Sequence, residues 1–143
     1  MNRRDVLSEI RNLKLPAGEY IVVGGAALAA RGIRDTDDID IVVTQSLFAE
    51  LERAGWALKI RPNGKPGLHR GRVEAYLDVN CGDFERSTPW LLAHAELVDE
   101  IPVIDLETLA RFKAGYGREK DVQDLRLIAK HLLMKDAAGE GAA

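Results

Sequence analysis

YIVVGGAALAARGIRDTDDIDIVV, residues 20–43, opens as a strand and closes as a strand. Ile21, Val22 and Val23 form an apolar run that breaks at Gly24-Gly25, and a stretch of small helix-forming residues follows. Asp38 and Asp40 then stand one residue apart among Ile39, Ile41, Val42 and Val43. Side chains alternate faces along a strand, so Asp38 and Asp40 point one way while Ile39, Ile41 and Val43 point into the core. Two carboxylates on one face repel each other unless a cation sits between them. The spacing predicts a divalent-metal site.

The glycine pair supplies the other half. Backbone N–H groups at a glycine-rich strand-to-helix turn, with the positive end of the helix dipole, favour a phosphate anion. Glycine lets the backbone approach closely and take positive φ. A phosphate cradle followed by a metal-binding aspartate pair is what phosphoryl or nucleotidyl transfer requires.

The run Gly24-Gly25, then Arg34-Asp35-Thr36-Asp37-Asp38-Ile39-Asp40-Ile41, resembles the signature of the DNA polymerase β-type nucleotidyltransferase superfamily. There an apolar residue and Gly-Gly or Gly-Ser precede an acidic–apolar–acidic triplet by about a dozen residues. The likeness is to small bacterial members, among them minimal, lincosamide-type and abortive-infection-type nucleotidyltransferases, and it extends from Tyr20 to about Leu133. It implies a nucleotidyltransferase-like α/β (α+β) fold, a mixed β-sheet flanked by helices with further helices at the C-terminus. The implied activity is Mg²⁺-dependent (or Mn²⁺-dependent) transfer of a nucleoside monophosphate from an NTP to an acceptor hydroxyl, with release of pyrophosphate.

By the same likeness Asp38 and Asp40 hold metal, Gly24 and Gly25 cradle phosphate, and Arg34 and Thr36 lie beside the nucleotide. Thr36 has a plainer reading as a loop residue bonding its own backbone. A third carboxylate comes from a later strand in such proteins. Glu74, Tyr76 and Asp78 share a face by period two, and Asp78 is preferred for its Leu77-Asp78-Val79 setting, with Glu74 as the fallback and Asp83 too far into the loop. Lys113 would touch the triphosphate, and Asp121, in Lys120-Asp121-Val122-Gln123-Asp124, would help position lysine or substrate. Many members carry serine where this chain has Gly25.

The 143 residues, 46% hydrophobic and 30% charged, suit one domain, expected over 1–135, with a disordered tail over 136–143. A net charge of −3 argues against broad, charge-driven binding to duplex nucleic acid. No apolar run approaches the roughly 20 residues of a membrane span. One cysteine, Cys81, excludes an intrachain disulfide and points to a cytoplasmic setting.

Periodicity predicts helices over 4–13, 26–30, 46–54, 88–97, 106–114 and 120–133, the last burying Val122, Leu125, Ile128, Ala129 and Leu132. Strands are expected over 20–23, 38–43, 56–60 and 72–79, a short β-like run over 101–104, and a polar turn over 61–67. Arg126 and His131 match the spacing of a family of small helical RNases, but too little helical chain remains to build that fold. A competing expectation is a regulatory protein with little catalysis, one half of a toxin–antitoxin pair that binds its cognate toxin or antitoxin. With the catalytic unit so small, a second subunit or a homodimer is expected to finish the acceptor pocket.

Overall fold

The computed structural model describes residues 1–81 and 84–142. Helix α1 (Arg3–Leu13) starts at a capping box in which Asn2 and Asp5 satisfy each other's backbone N–H, and it buries Val6, Leu7 and Ile10. Strand β1 (Tyr20–Val23) passes directly into helix α2 (Gly24–Ala30), and β2 (Ile39–Val43) returns antiparallel to β1 with Val23 opposite Asp40. Both strands are central, with Ile21, Val22, Ile41 and Val42 buried, which is why they read as continuous apolar runs. Asp40 interrupts the buried run of β2.

After helix α3 (Gln45–Arg53), strands β3 (Ala57–Ile60), β4 (Pro66–Arg70) and β5 (Val73–Tyr76) follow in succession. A two-residue ladder, β6 (Asn80–Cys81) with β7 (Phe84–Glu85), precedes helix α4 (Thr88–Ala93). Strands β8 (Glu96–Val98) and β9 (Ile101–Val103) and helices α5 (Leu106–Tyr116) and α6 (Glu119–Ala142) complete the described chain. The main sheet has seven strands in the order β3-β4-β5-β2-β1-β9-β8. It is mixed: β2 runs parallel to β5 and β1 parallel to β9, the remaining pairs antiparallel. This is a mixed β-sheet flanked by helices with further helices at the C-terminus, as expected from the sequence. No helix among the described residues is long and apolar enough to cross a membrane.

Several elements differ from the sequence expectation. The turn expected over 61–67 contains the start of β4, where Pro66 and Gly67 disguise a strand. Glycine suits that position because the Tyr76 ring lies over it: a Cβ at Gly67 would lie 3.0 Å from that ring and push it aside. Strand β5 ends at Tyr76, so the period-two argument that placed Asp78 on the face of Glu74 does not reach Asp78. Helix α3 starts one residue earlier than expected, behind a Thr44 cap, and α4 starts at Thr88 behind a Ser87 cap. Helix α4 ends at Ala93, and residues up to Val98 pair as β8 instead.

Helix α6 continues to Ala142, past the end expected at 133. Among the residues of α6 whose burial is described, Asp121, Asp124 and Ile128 are buried, whereas Val122, Ala129 and Leu132 are exposed. The apolar periodicity misplaced this face because part of it is ionic. Asp83, weighed above as a carboxylate, lies outside the described residues.

Candidate active site

The link between β1 and β2 brings the glycine pair to the aspartate. Gly24 has φ +62°, and a Cβ there would lie 3.2 Å from Asp40 Oδ2. A Cβ at Gly25 would lie 3.0 Å from Arg34 Nη2 and 3.0 Å from Thr36 Oγ1. Asp40 therefore packs against the first glycine, while Arg34 and Thr36 pack against the second. No side chain caps the start of α2, where Val23 is the N-cap. Its first N–H groups thus lack a capping side chain, and a bound anion would supply the missing partner.

Gly24, Gly25, Arg34, Thr36, Asp38, Asp40, Asp78 and Lys113 all line one cavity of about 1000 Å³. Asp121 lies behind it, fully buried. Thr36 is buried and donates from Oγ1 to the Asp38 carbonyl at 3.1 Å, a local bond that shapes the approach to β2. Asp38 itself is exposed at the edge of the cavity, one residue before the strand begins.

Asp40 carries the strongest electrostatic signal. Burial pushes its carboxyl up to about 7, reinforced by the neighbouring carboxylates of Asp38 and Glu74 and opposed by Lys120 and Lys113. Glu74 contributes because β2 and β5 pair in parallel with Asp40 opposite Glu74, which sets the two side chains beside each other on one face. Glu74 also accepts a hydrogen bond from Tyr76 Oη and lies 3.4 Å from Lys59 Nζ.

Asp78 is held differently. Arg61 Nη2 donates to it at 3.1 Å and Lys65 Nζ at 2.9 Å. Burial raises its carboxyl, but these two hydrogen bonds more than reverse that and leave it below the usual carboxylate range. Asp78 thus ties the β3–β4 hairpin to the segment after β5, at the wall of the cavity.

Among the described residues no three His, Cys, Asp or Glu side chains stand together as a ready-made metal cage. Mg²⁺ is commonly bound through one or two carboxylates together with substrate phosphates, so a full protein cage is unnecessary. Asp38 and Asp40 offer hard oxygen donors, and the Asp40 carboxyl, raised first by burial and then by its acidic neighbours Asp38 and Glu74, is one whose charged form a cation would favour. The donor set fits Mg²⁺ or Mn²⁺ on those terms.

Lys113 projects from α5 and is almost completely buried, with Nζ 2.8 Å from Asp124 and 3.6 Å from Asp121. Asp124 and Lys120 are functional candidates that sequence reasoning left unassigned. Their signal was present in the segment 120–124, but aspartates three apart on a helix are too common to single one out.

A crystal structure of a Thermotoga maritima protein, described provisionally as a nucleotidyltransferase, superposes on this chain with a TM-score of 0.62. The match covers 92% of this chain and 96% of that one at 21% identity, so the likeness is one of fold. No protein-family model matches the sequence, and no curated protein does.

Proposed function

We propose that this chain is a metal-dependent nucleotidyltransferase that moves a nucleoside monophosphate from an NTP to an acceptor hydroxyl. The observation that carries the reading is the packing of Gly24 against Asp40 on a cavity that also holds Lys113. A half-buried carboxylate held against an uncapped helix start costs desolvation that a bound cation and phosphate would offset.

Asp38 and Asp40 would hold Mg²⁺ or Mn²⁺, and Glu74 is the better third carboxylate because the register sets it beside Asp40. The ion, when bound, supplies neutralisation of phosphate charge and polarisation of the P–O bonds. The backbone N–H groups at Gly24 and Gly25 receive phosphate oxygens. Lys113 and Arg34 add positive charge on the same side, Arg34 as a planar donor and Lys113 as a compact one. The acceptor oxygen attacks the α-phosphorus, the bond from that phosphorus to the bridging oxygen breaks, and pyrophosphate departs. A carboxylate of the Asp40–Glu74 pair receives the acceptor's proton. Asp78, whose carboxyl Lys65 and Arg61 hold below the usual range, has a depressed proton affinity and is poorly suited to take it.

The test is transfer of label from each α-labelled NTP, with Mg²⁺ or Mn²⁺, to RNA, protein and small-molecule acceptors. Glu52→Ala, an exposed change on α3, should leave transfer at the wild-type level. Glu74→Gln should lower it by about 100-fold, in line with loss of a charged group at the reacting centre, and Asp78→Asn by less than about 10-fold. Equal losses for those two variants would remove the register argument. No transfer from any NTP to any acceptor, and no NTP binding, would remove the reading itself.

A further inference from the structure

Asp124 is one of the few charged residues buried in this protein, and both its oxygens are taken by cations from other elements. Arg34 donates to it twice, from Nε at 2.7 Å and from Nη2 at 2.9 Å, and Lys113 Nζ lies 2.8 Å from the second oxygen. One turn earlier on α6, Asp121 receives Arg118 at 2.6 Å and stands 3.6 Å from Lys113. Hydrogen bonding to Asp124 raises the proton affinity of Arg34. Burial works against Asp124, but its bonds from Arg34 and Lys113 hold its carboxyl below the usual range. Arg34, Lys113 and Arg118 thus converge on two buried carboxylates, and Asp38 lies close enough to act on Arg34 as well.

Such a cluster is an expensive way to dock a helix, since apolar side chains of similar volume would do so at less desolvation cost. What it achieves is placement. The Arg34 guanidinium lies across Gly25, close enough that any side chain at that position would meet it. A third donor of Arg34, Nη1, is used on the Asp35 carbonyl at 2.8 Å, so the guanidinium is fixed on several sides while it still lines the cavity. Lys113 lines the same cavity from α5. Two cations from distant parts of the chain meet on the same carboxylate oxygen, and without that anion between them they would repel.

We infer that Asp124 is the positioning residue of the nucleotide site: it holds Arg34 and Lys113 together beside Gly25, where a triphosphate is to be bound. The inference rests on the nucleotidyltransferase reading and adds a residue to it. Asp124 acts through its two partners and does not itself meet the anion.

The test uses the full chain, Mn²⁺, and the non-hydrolysable α,β-methylene analogues of ATP, CTP, GTP and UTP. Binding is measured by calorimetry, with Mn²⁺ binding alone followed by electron paramagnetic resonance. Asp124→Asn keeps the shape and removes the charge, and should weaken the best-bound analogue by about 30-fold, the scale of a lost charged hydrogen bond. Mn²⁺ affinity without nucleotide should stay within about 2-fold of wild type, because the carboxylates facing the ion are untouched. Asp124→Glu should recover most of the nucleotide affinity. In a Lys113→Met, Arg34→Gln background the Asp124→Asn change should have no further effect on nucleotide affinity.

Should Asp124→Asn fail to fold, Arg34→Gln, which leaves the Lys113–Asp124 pair in place, should still cost about 10-fold in nucleotide affinity. Unchanged nucleotide affinity in the folded variants, or an equal fall in Mn²⁺ affinity, would reduce Asp124 to a structural ion pair and overturn the inference alone. A wild-type protein that binds none of the analogues would overturn both the inference and the reading beneath it.

Discussion

Asp40→Asn is expected to abolish nucleotidyl transfer and, at the same time, to make the metal-free protein more stable above neutral pH. The first effect follows from losing an anionic oxygen donor at the reacting centre, a loss of at least about 1,000-fold. The second follows from the sign of the pKa shift. Burial first, then Asp38 and Glu74, raise the folded-state value from 3.8 to about 7. Between those values the folded protein retains a proton that the unfolded chain has released. Its stability therefore falls as pH rises through that window and stays lowered above it. A shift of this size corresponds to roughly 4 kcal/mol at full effect. Asparagine approximates the neutral carboxyl and does not titrate.

Thermal unfolding of both proteins at pH 5 and pH 8 checks this. The difference in melting temperature, variant minus wild type, should be larger at pH 8 by several degrees. Added Mn²⁺ should then raise the wild-type midpoint at pH 8 and leave that of the variant nearly unchanged, since an ion that binds only the folded state stabilises by mass action. A variant that gains nothing between pH 5 and pH 8 would show that burial and the acidic neighbours do not raise the Asp40 carboxyl. The metal assignment would then lose its main electrostatic support.

Much of this site was readable from residues 20–43 because its parts are close in sequence. The break from strand to helix at Gly24 and the return to a strand at Ile39 are local events, set by glycine, small residues and β-branched residues. The partner of Asp40 was not readable in the same way. Which carboxylate lies beside it depends on β2 pairing with β5 and on the register of that pair, a contact between segments 34 residues apart, Asp40 and Glu74. The triplet Leu77-Asp78-Val79 looks like a strand interior, yet the strand has ended at Tyr76, and Asp78 bonds Arg61 and Lys65 of the hairpin while it lines the cavity.

Helix α6 shows a different limit. Apolar spacing finds buried faces only where burial is apolar, and here Asp121 and Asp124 are buried because Lys113, Arg34 and Arg118 meet them. Nothing in the pattern of α6 alone reveals cations supplied from α5 and from the segment before β2. The same reasoning applies to β4, whose Pro66-Gly67 start is unfavourable in isolation and is explained by the Tyr76 ring two strands' length away in sequence.

Gly24→Val should be the most damaging single change outside the acidic residues, for two separable reasons. At φ +62° any L-residue is strained, a β-branched one most of all. The new side chain would also start 3.2 Å from Asp40 Oδ2, so Asp40 or the turn must move. Strain and displacement together should cost about 3 kcal/mol, lowering the melting midpoint by roughly 10 °C. Transfer, assayed well below that midpoint, should fall by at least about 100-fold because the phosphate turn and the metal carboxylate shift relative to each other.

Gly55→Val separates the two causes. Gly55 has φ +95° with nothing within 4 Å of a Cβ, so valine there brings backbone strain without displacing the site. It should lose stability and keep its transfer rate when assayed below its own midpoint. If Gly24→Val also kept its transfer rate under those conditions, the contact between Gly24 and Asp40 would be a feature of packing alone, and the convergence on which the functional reading depends would be incidental.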